Sequence, residues 1–103
     1  MKDLFAKAGD DERSGRWADA SQTLRQLVEL VPDPNLLLRY ASALEEISDY
    51  AGAEQAIRHA IRLAPDRADA YFRLGMLLDD QERLQEASEA SRQGRNLSRM
   101  LTR

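Results

Sequence analysis

Residues 17–33 read WADASQTLRQLVELVPD and residues 50–66 read YAGAEQAIRHAIRLAPD. Both open on an aromatic ring (Trp17, Tyr50) and carry alanine three residues on (Ala20, Ala53). Leu24 and Ile57, then Leu27 and Ala60, follow at the same offsets, and Pro32-Asp33 and Pro65-Asp66 close the two stretches. A third unit holds Leu84, Ala87, Ser91 and Gly94 at the matching positions, 34 residues on from the second rather than 33. Repetition at this period marks an array of supersecondary units, and three copies fill the chain. The upstream half of each copy agrees: Leu4, Lys7, Ala8, Asp11, then Leu37, Tyr40, Ala41, Leu44, then Tyr71, Leu74, Gly75, Leu78, the first being the poorest match.

Each copy reads as two helices. Leu37, Tyr40, Ala41, Leu44 and Ile47 make one stripe at helical spacing, and Ala53, Ile57, Ala60, Ile61 and Ala64 make another. The short polar link Ser48-Asp49-Tyr50 forces the pair to run antiparallel. Asp33 and Asp66 fit the next helix start as caps or first-turn acids, while Pro34 and Pro65 fit breaks there. The pattern predicts helices over 2–14, 17–31, 34–48, 50–63, 67–81 and 83–101. Alanine and leucine, 15 of each, outweigh five valines and isoleucines together, which also favours helix over strand.

Composition excludes several classes. With 103 residues, 43% hydrophobic and no cysteine, the chain suits one compact domain without disulfides or thiolate metal sites. No apolar run exceeds three residues, as at Leu36–Leu38, so neither a membrane span nor a secretory leader is expected and the cytoplasm is the default compartment. A net charge of −3 does not describe a polycation built to coat nucleic acid.

The segment Tyr71-x-x-Leu74-Gly75-x-x-Leu78 with Ala87, and Ala53-x-x-x-Ile57 with Pro65, resembles the tetratricopeptide repeat over essentially the whole chain. The departures are Lys7 in an apolar slot of the first copy, and Ser91 and Gly94 in the third. The resemblance implies an all-α fold, a right-handed α-solenoid of three antiparallel helix pairs, in a single domain over 1–103 with repeats at 1–33, 34–67 and 68–101. Independently of it, the small residues at Ala8, Ala41 and Gly75, and at Ala20, Ala53 and Ala87, allow paired helices to approach closely.

The resemblance further implies a concave surface, lined by the first helix of each pair, that binds extended or helical peptides. Phe5, Leu38, Phe72 and Met76 would form its apolar floor, beside Gly9 and Ser42, and Glu12, Glu45 and Asp79, with Arg13, Glu46 and Asp80 alongside, an acidic far end. Arg39 and Arg73 would add isolated positive points. Packing competes with binding as the role of the floor residues, and an ordinary solvated helix end competes for the acids. Asp79 and Asp80 nonetheless fall where the helix dipole disfavours anions. Family members that clamp acidic C-terminal peptides use slots that here hold Phe5, Gly9, Arg39, Asp69 and Arg73. Only the two arginines could serve, so a basic or amphipathic apolar peptide is the expected partner.

Charge changes along the chain: residues 66–90 carry a net of −4, and residues 91–103 carry no acid and four arginines, Arg92, Arg95, Arg99 and Arg103. These share one face opposite Ala90, Gly94, Leu97 and Leu101. Cations near a helix C-terminus are locally favoured, and the absence of lysine and of a stacking aromatic there argues against nucleic acid. Arrays of the family commonly end in a further polar helix. None is expected within 103 residues, so Leu97, Met100 and Leu101 would fray, dock on the preceding helix or pack on another chain. An acidic groove end and a basic tail would also permit head-to-tail contact between copies.

Catalysis lacks candidates. The one histidine, His59, sits on a helix side with Gln55, Arg58 and Arg62 and is expected to be exposed. The pairs Asp10-Asp11, Glu45-Glu46 and Asp79-Asp80 diverge on their helices, and no glycine-turn oxygen loop accompanies them. No metal or cofactor is expected. The reading is a non-catalytic adaptor or scaffold binding a peptide or amphipathic helix. Its alternatives are a small chaperone shielding a client and a self-association module using the C-terminal helix.

Overall fold

A computed structural model describes residues 2–101; Arg103, counted above among the four arginines, lies outside them. The described residues form six helices and no strand: α1 Lys2–Arg13, α2 Trp17–Leu30, α3 Pro34–Glu46, α4 Tyr50–Leu63, α5 Ala68–Asp80 and α6 Leu84–Leu101. Consecutive helices pack on one another in chain order. They make three antiparallel pairs in a right-handed solenoid.

Local chemistry sets the boundaries. Asp33 caps α3 by accepting from the Asn35 and Leu36 amides at 2.8 and 3.3 Å, with Pro34 at the first helical position. Asp49 caps α4 by accepting from the Gly52 amide at 3.0 Å. Asp66 does neither job expected of it. Arg67 holds the N-cap position of α5 without a side-chain bond, and Asp69 is the acid of the first turn.

Within each pair the same turn recurs. Gly15 (φ 74°), Ser48 (φ 64°) and Glu82 (φ 61°) all adopt the left-handed region just past the first helix. Their amides donate to the carbonyls of Glu12, Glu45 and Asp79, and the next amides, of Arg16, Asp49 and Arg83, donate to those of Asp11, Leu44 and Leu78. This is a Schellman closure made three times, with glycine at the left-handed position only once.

The core falls into two connected clusters. Ala8, Ala20, Leu24, Leu27, Leu36 and Ala43 form the first, and a larger one runs from Leu37 to Ala90 around Ile57, Leu74, Leu77 and Leu78; Val28 and Tyr40 touch both. The small slots are close-packed. A Cβ on Gly75 would stand 2.5 Å from the Ser91 Oγ and 3.3 Å from the Ala87 carbonyl, which is why that position carries no side chain.

Candidate partner-binding surface

The face shared by α1, α3 and α5 is less apolar than its sequence suggests. Leu38 is not a floor residue: only 5% exposed, it belongs to the larger core cluster. Phe72 is half-buried, its ring lying against Gly94 of α6 so closely that a Cβ there would sit 2.9 Å from it. The glycine that departs from the repeat pattern thus makes room for Phe72. Exposed apolar surface remains at the two ends, Phe5 at 40% and Met76 at 67%.

The arginines are not isolated charges. From α3, Arg39 reaches back to Glu12 of α1 with Nε and Nη2 at 3.2 and 2.5 Å. From α5, Arg73 donates to the Leu38 carbonyl (2.9 Å), the Ser42 Oγ (2.5 Å) and Glu45 (3.3 Å) on α3. The Ser42 hydroxyl in turn donates to the Leu38 carbonyl at 3.2 Å. The arginine bonds form the rungs of one ladder, each tying a helix to its counterpart in the preceding pair. Donation to Glu12 raises the pKa of Arg39 above the ordinary arginine value. In the third pair Asp79 occupies the position of Glu12 and Glu45; it and Asp80 are exposed and have no side-chain partner among the described residues.

A second ion-pair system joins α4 to the start of α6: Arg83 bonds Glu54 at 2.6 Å and Glu86 at 2.7 Å, and Arg58 reaches Glu54 from within α4 at 3.0 Å. The Glu54 carboxyl is held below the usual range by donation from Arg83, then from Arg58. At the other end of the stack, Asp11 stands where the later copies have Leu44 and Leu78. It is 4% exposed and accepts from Lys7 at 2.8 Å and Arg16 at 3.0 Å. Those two donors, Lys7 foremost, lower its pKa. Lys7, the departure of the first copy, is therefore compensated by Asp11, which the structure shows to be a second polar residue in an apolar slot.

The tetratricopeptide repeat family model matches residues 5–66 and, overlapping, 41–93. The chain belongs to the tetratricopeptide repeat family. No curated protein sequence matches it significantly. Among solved structures, a MamA chain superposes with a TM-score of 0.83 at 26% identity, over 91% of this chain and 56% of its own, so the present chain spans little more than half of that protein's length. The type III secretion translocator chaperone SycD of Yersinia enterocolitica gives 0.84 at 18% identity, over 93% of this chain and 74% of that one. The first tetratricopeptide domain of Spaghetti (RPAP3), bound to the HSP90 peptide SRMEEVD, gives 0.82 at 24% identity, over 91% and 75%. The last two likenesses speak to fold.

The final helix of this tetratricopeptide array splits in character along its length. Ala90 and Gly94 are buried and Leu97 is half-buried against the stack, whereas Met100 and Leu101 are exposed. Leu101 therefore leaves the inner face on which the helical pattern placed it. Arg92, Arg95 and Arg99 are exposed. His59 corrects another expectation: it is half-buried, lining a cleft of about 740 Å³ with Val28, Glu29, Leu37, Tyr40 and Arg62, between the second helices of the first two repeats. No stripe in the sequence announces that cleft, because it is assembled from three helices. Among the described residues no helix is long and apolar enough to cross a membrane, and no group of three or more His, Cys, Asp or Glu residues is placed to hold a metal ion.

Proposed function

We propose that residues 1–103 act as one non-catalytic interaction unit, an adaptor that holds a basic or amphipathic apolar peptide against the face of α1, α3 and α5. One observation carries this reading: Arg39 and Arg73 are consumed by Glu12, Glu45, Ser42 and the Leu38 carbonyl, while Glu46, Asp79 and Asp80 stay exposed, as do Phe5 at one end of the face and Met76 at the other. What such a face offers a ligand is apolar contact and negative charge. Family membership supports a role in protein interaction, and the chaperone SycD and the peptide-bound RPAP3 domain are similar in fold.

The decisive comparison titrates two labelled peptides into the protein, the acidic SRMEEVD and a lysine-rich amphipathic helix. Binding of the basic helix, weakened by Phe5→Ala with Met76→Ala, supports the proposal. Preferential binding of SRMEEVD, lost in Arg73→Ala, overturns it. Phe72 and Leu38 are left intact, since both pack internally and their loss would confuse binding with folding.

A further inference from the structure

A gutter between successive second helices occurs twice in this stack, so the molecule supplies its own comparison. The one between α2 and α4 opens into a cleft of about 740 Å³, whereas the one between α4 and α6 holds about 270 Å³. Their floors carry the same two side chains in opposite order, Leu37 and Tyr40 in the first, Tyr71 and Leu74 in the second. The rims differ. Gly52 stands where the second gutter has Glu86, which opens the space; a Cβ there would also lie 2.7 Å from the Oδ2 of Asp49, the cap of α4.

Charge at the rim differs in the same sense. Along α4 the larger cleft is edged by Gln55, His59 and Arg62, where the smaller has Glu89 and Gln93 and the chain continues to Asn96. None of Gln55, His59 and Arg62 has a side-chain hydrogen bond or ion pair among the described residues. The other charges of the cleft are already matched: Arg58 lies 3.0 Å from Glu54, and Glu29, the acid of the α2 wall, lies 3.5 Å from Arg25. What remains is an apolar floor of Val28, Leu37 and Tyr40 beside one edge of unmatched donors and positive charge.

A cleft of this size and make-up takes a ligand of the complementary form, a bulky apolar body carrying a carboxylate. Its open, trough-like shape between two helices suits a chain that passes along it. We infer that this trough, on the side of the second helices and away from the α1, α3 and α5 face, binds an extended segment of a partner protein. The segment seats a bulky apolar side chain on Leu37 and Tyr40, and its flanking carboxylates accept from Arg62 and His59.

The test uses the full chain and three fluorescein-labelled peptides: GEEFLEEG, its neutral counterpart GQQFLQQG, and GEEGSEEG, which keeps the charge and lacks the apolar anchor. The first should bind about tenfold or more tightly than either of the others, a difference of about 1.4 kcal/mol per factor of ten. Gln55→Glu with Arg62→Asn, which gives the first gutter the rim of the second, should cost GEEFLEEG the same factor; both positions are exposed, so the fold is not at stake. The imidazole NMR signals of His59, the one histidine of the chain, should shift as GEEFLEEG is added. Phe5→Ala with Met76→Ala, and Arg73→Ala, should leave its affinity unchanged, which separates this site from the one proposed above. Equal binding of the three peptides, an unmoved His59 signal, or indifference to the paired rim substitution overturns the inference. So does phenylacetate that displaces GEEFLEEG at the peptide's own concentration, or a dimer in light scattering that the rim substitution dissociates, since the occupant would then be a small aromatic acid or a second copy.

Discussion

Glu82 holds a left-handed backbone conformation (φ 61°) that in the first pair falls to Gly15, and it does so from an exposed position. A side chain there costs roughly 1–2 kcal/mol, and glycine returns part of that gain through its freer unfolded chain. Glu82→Gly should therefore stabilise the protein by about 0.5–1 kcal/mol, read as a higher urea midpoint with an unchanged slope. Asp11 makes a different residue-scale demand. Its folded pKa is depressed by Lys7 and Arg16, so its contribution is present above the unfolded carboxylate value of about 4 and is lost as pH falls through the lower folded value. Thermal melts of Asp11→Asn should lie below wild type at pH 7, and the gap should narrow by pH 3. Neither feature was legible in sequence. A glutamate gives no hint of a positive φ, and an aspartate in an aliphatic slot looks like a poor match until its two donors are seen around it.

At the scale of elements, hydrophobic spacing and the Pro-Asp links located all six helices to within about two residues at each end. Apolar periodicity reports which side of a helix is inward; it does not report how deep a residue sits there. That is why Leu38, in the slot of the exposed Phe5, proved to be core. The ladder was invisible for a related reason. Sequence places Arg73 one residue past Phe72, and only the packed backbone brings its guanidinium to the Leu38 carbonyl and Glu45. Partly exposed ion pairs add little, but the bonds to a carbonyl and a hydroxyl add more, so Arg73→Ala should cost about 1 kcal/mol. Hydrogen exchange should show the loss as faster opening of α5 against α3. Replacement of Gly75 by leucine acts between α5 and α6 instead: the Ser91 Oγ lies only 2.5 Å from the point a Cβ would occupy, so overpacking of about 1–3 kcal/mol or more should lower the melting temperature.

For the whole molecule, the two ends of the stack are chemically unlike. The outer side of α1 shows Asp3 and Asp10, while the α5–α6 end shows Met76, Leu84 and Asp79. Giving α1 the spacing that α3 and α5 share, with apolar residues at Leu36 and Ala43 around Arg39 and at Ala70 and Leu77 around Arg73, through Asp3→Leu, Ala6→Arg and Asp10→Leu should drive head-to-tail association, a heterologous contact that builds a filament or, where its rotation closes, a ring. Sedimentation velocity should then show mass rising with concentration; an unchanged profile would mean that the pattern alone does not dock a helix.

Helices that pack chiefly on their neighbours in chain order make a nearly one-dimensional object. Drawn apart by its two termini, such a chain passes the load from each repeat to the next through local ties: Arg39 on Glu12 with the packed cluster between the first two repeats, and Arg73 on Glu45, Arg83 on Glu54 and the larger cluster between the second and third. Mechanical failure would then run pair by pair from an end, lengthening the molecule in steps of one repeat, so that the fold behaves as an extensible link that yields at the seams between repeats.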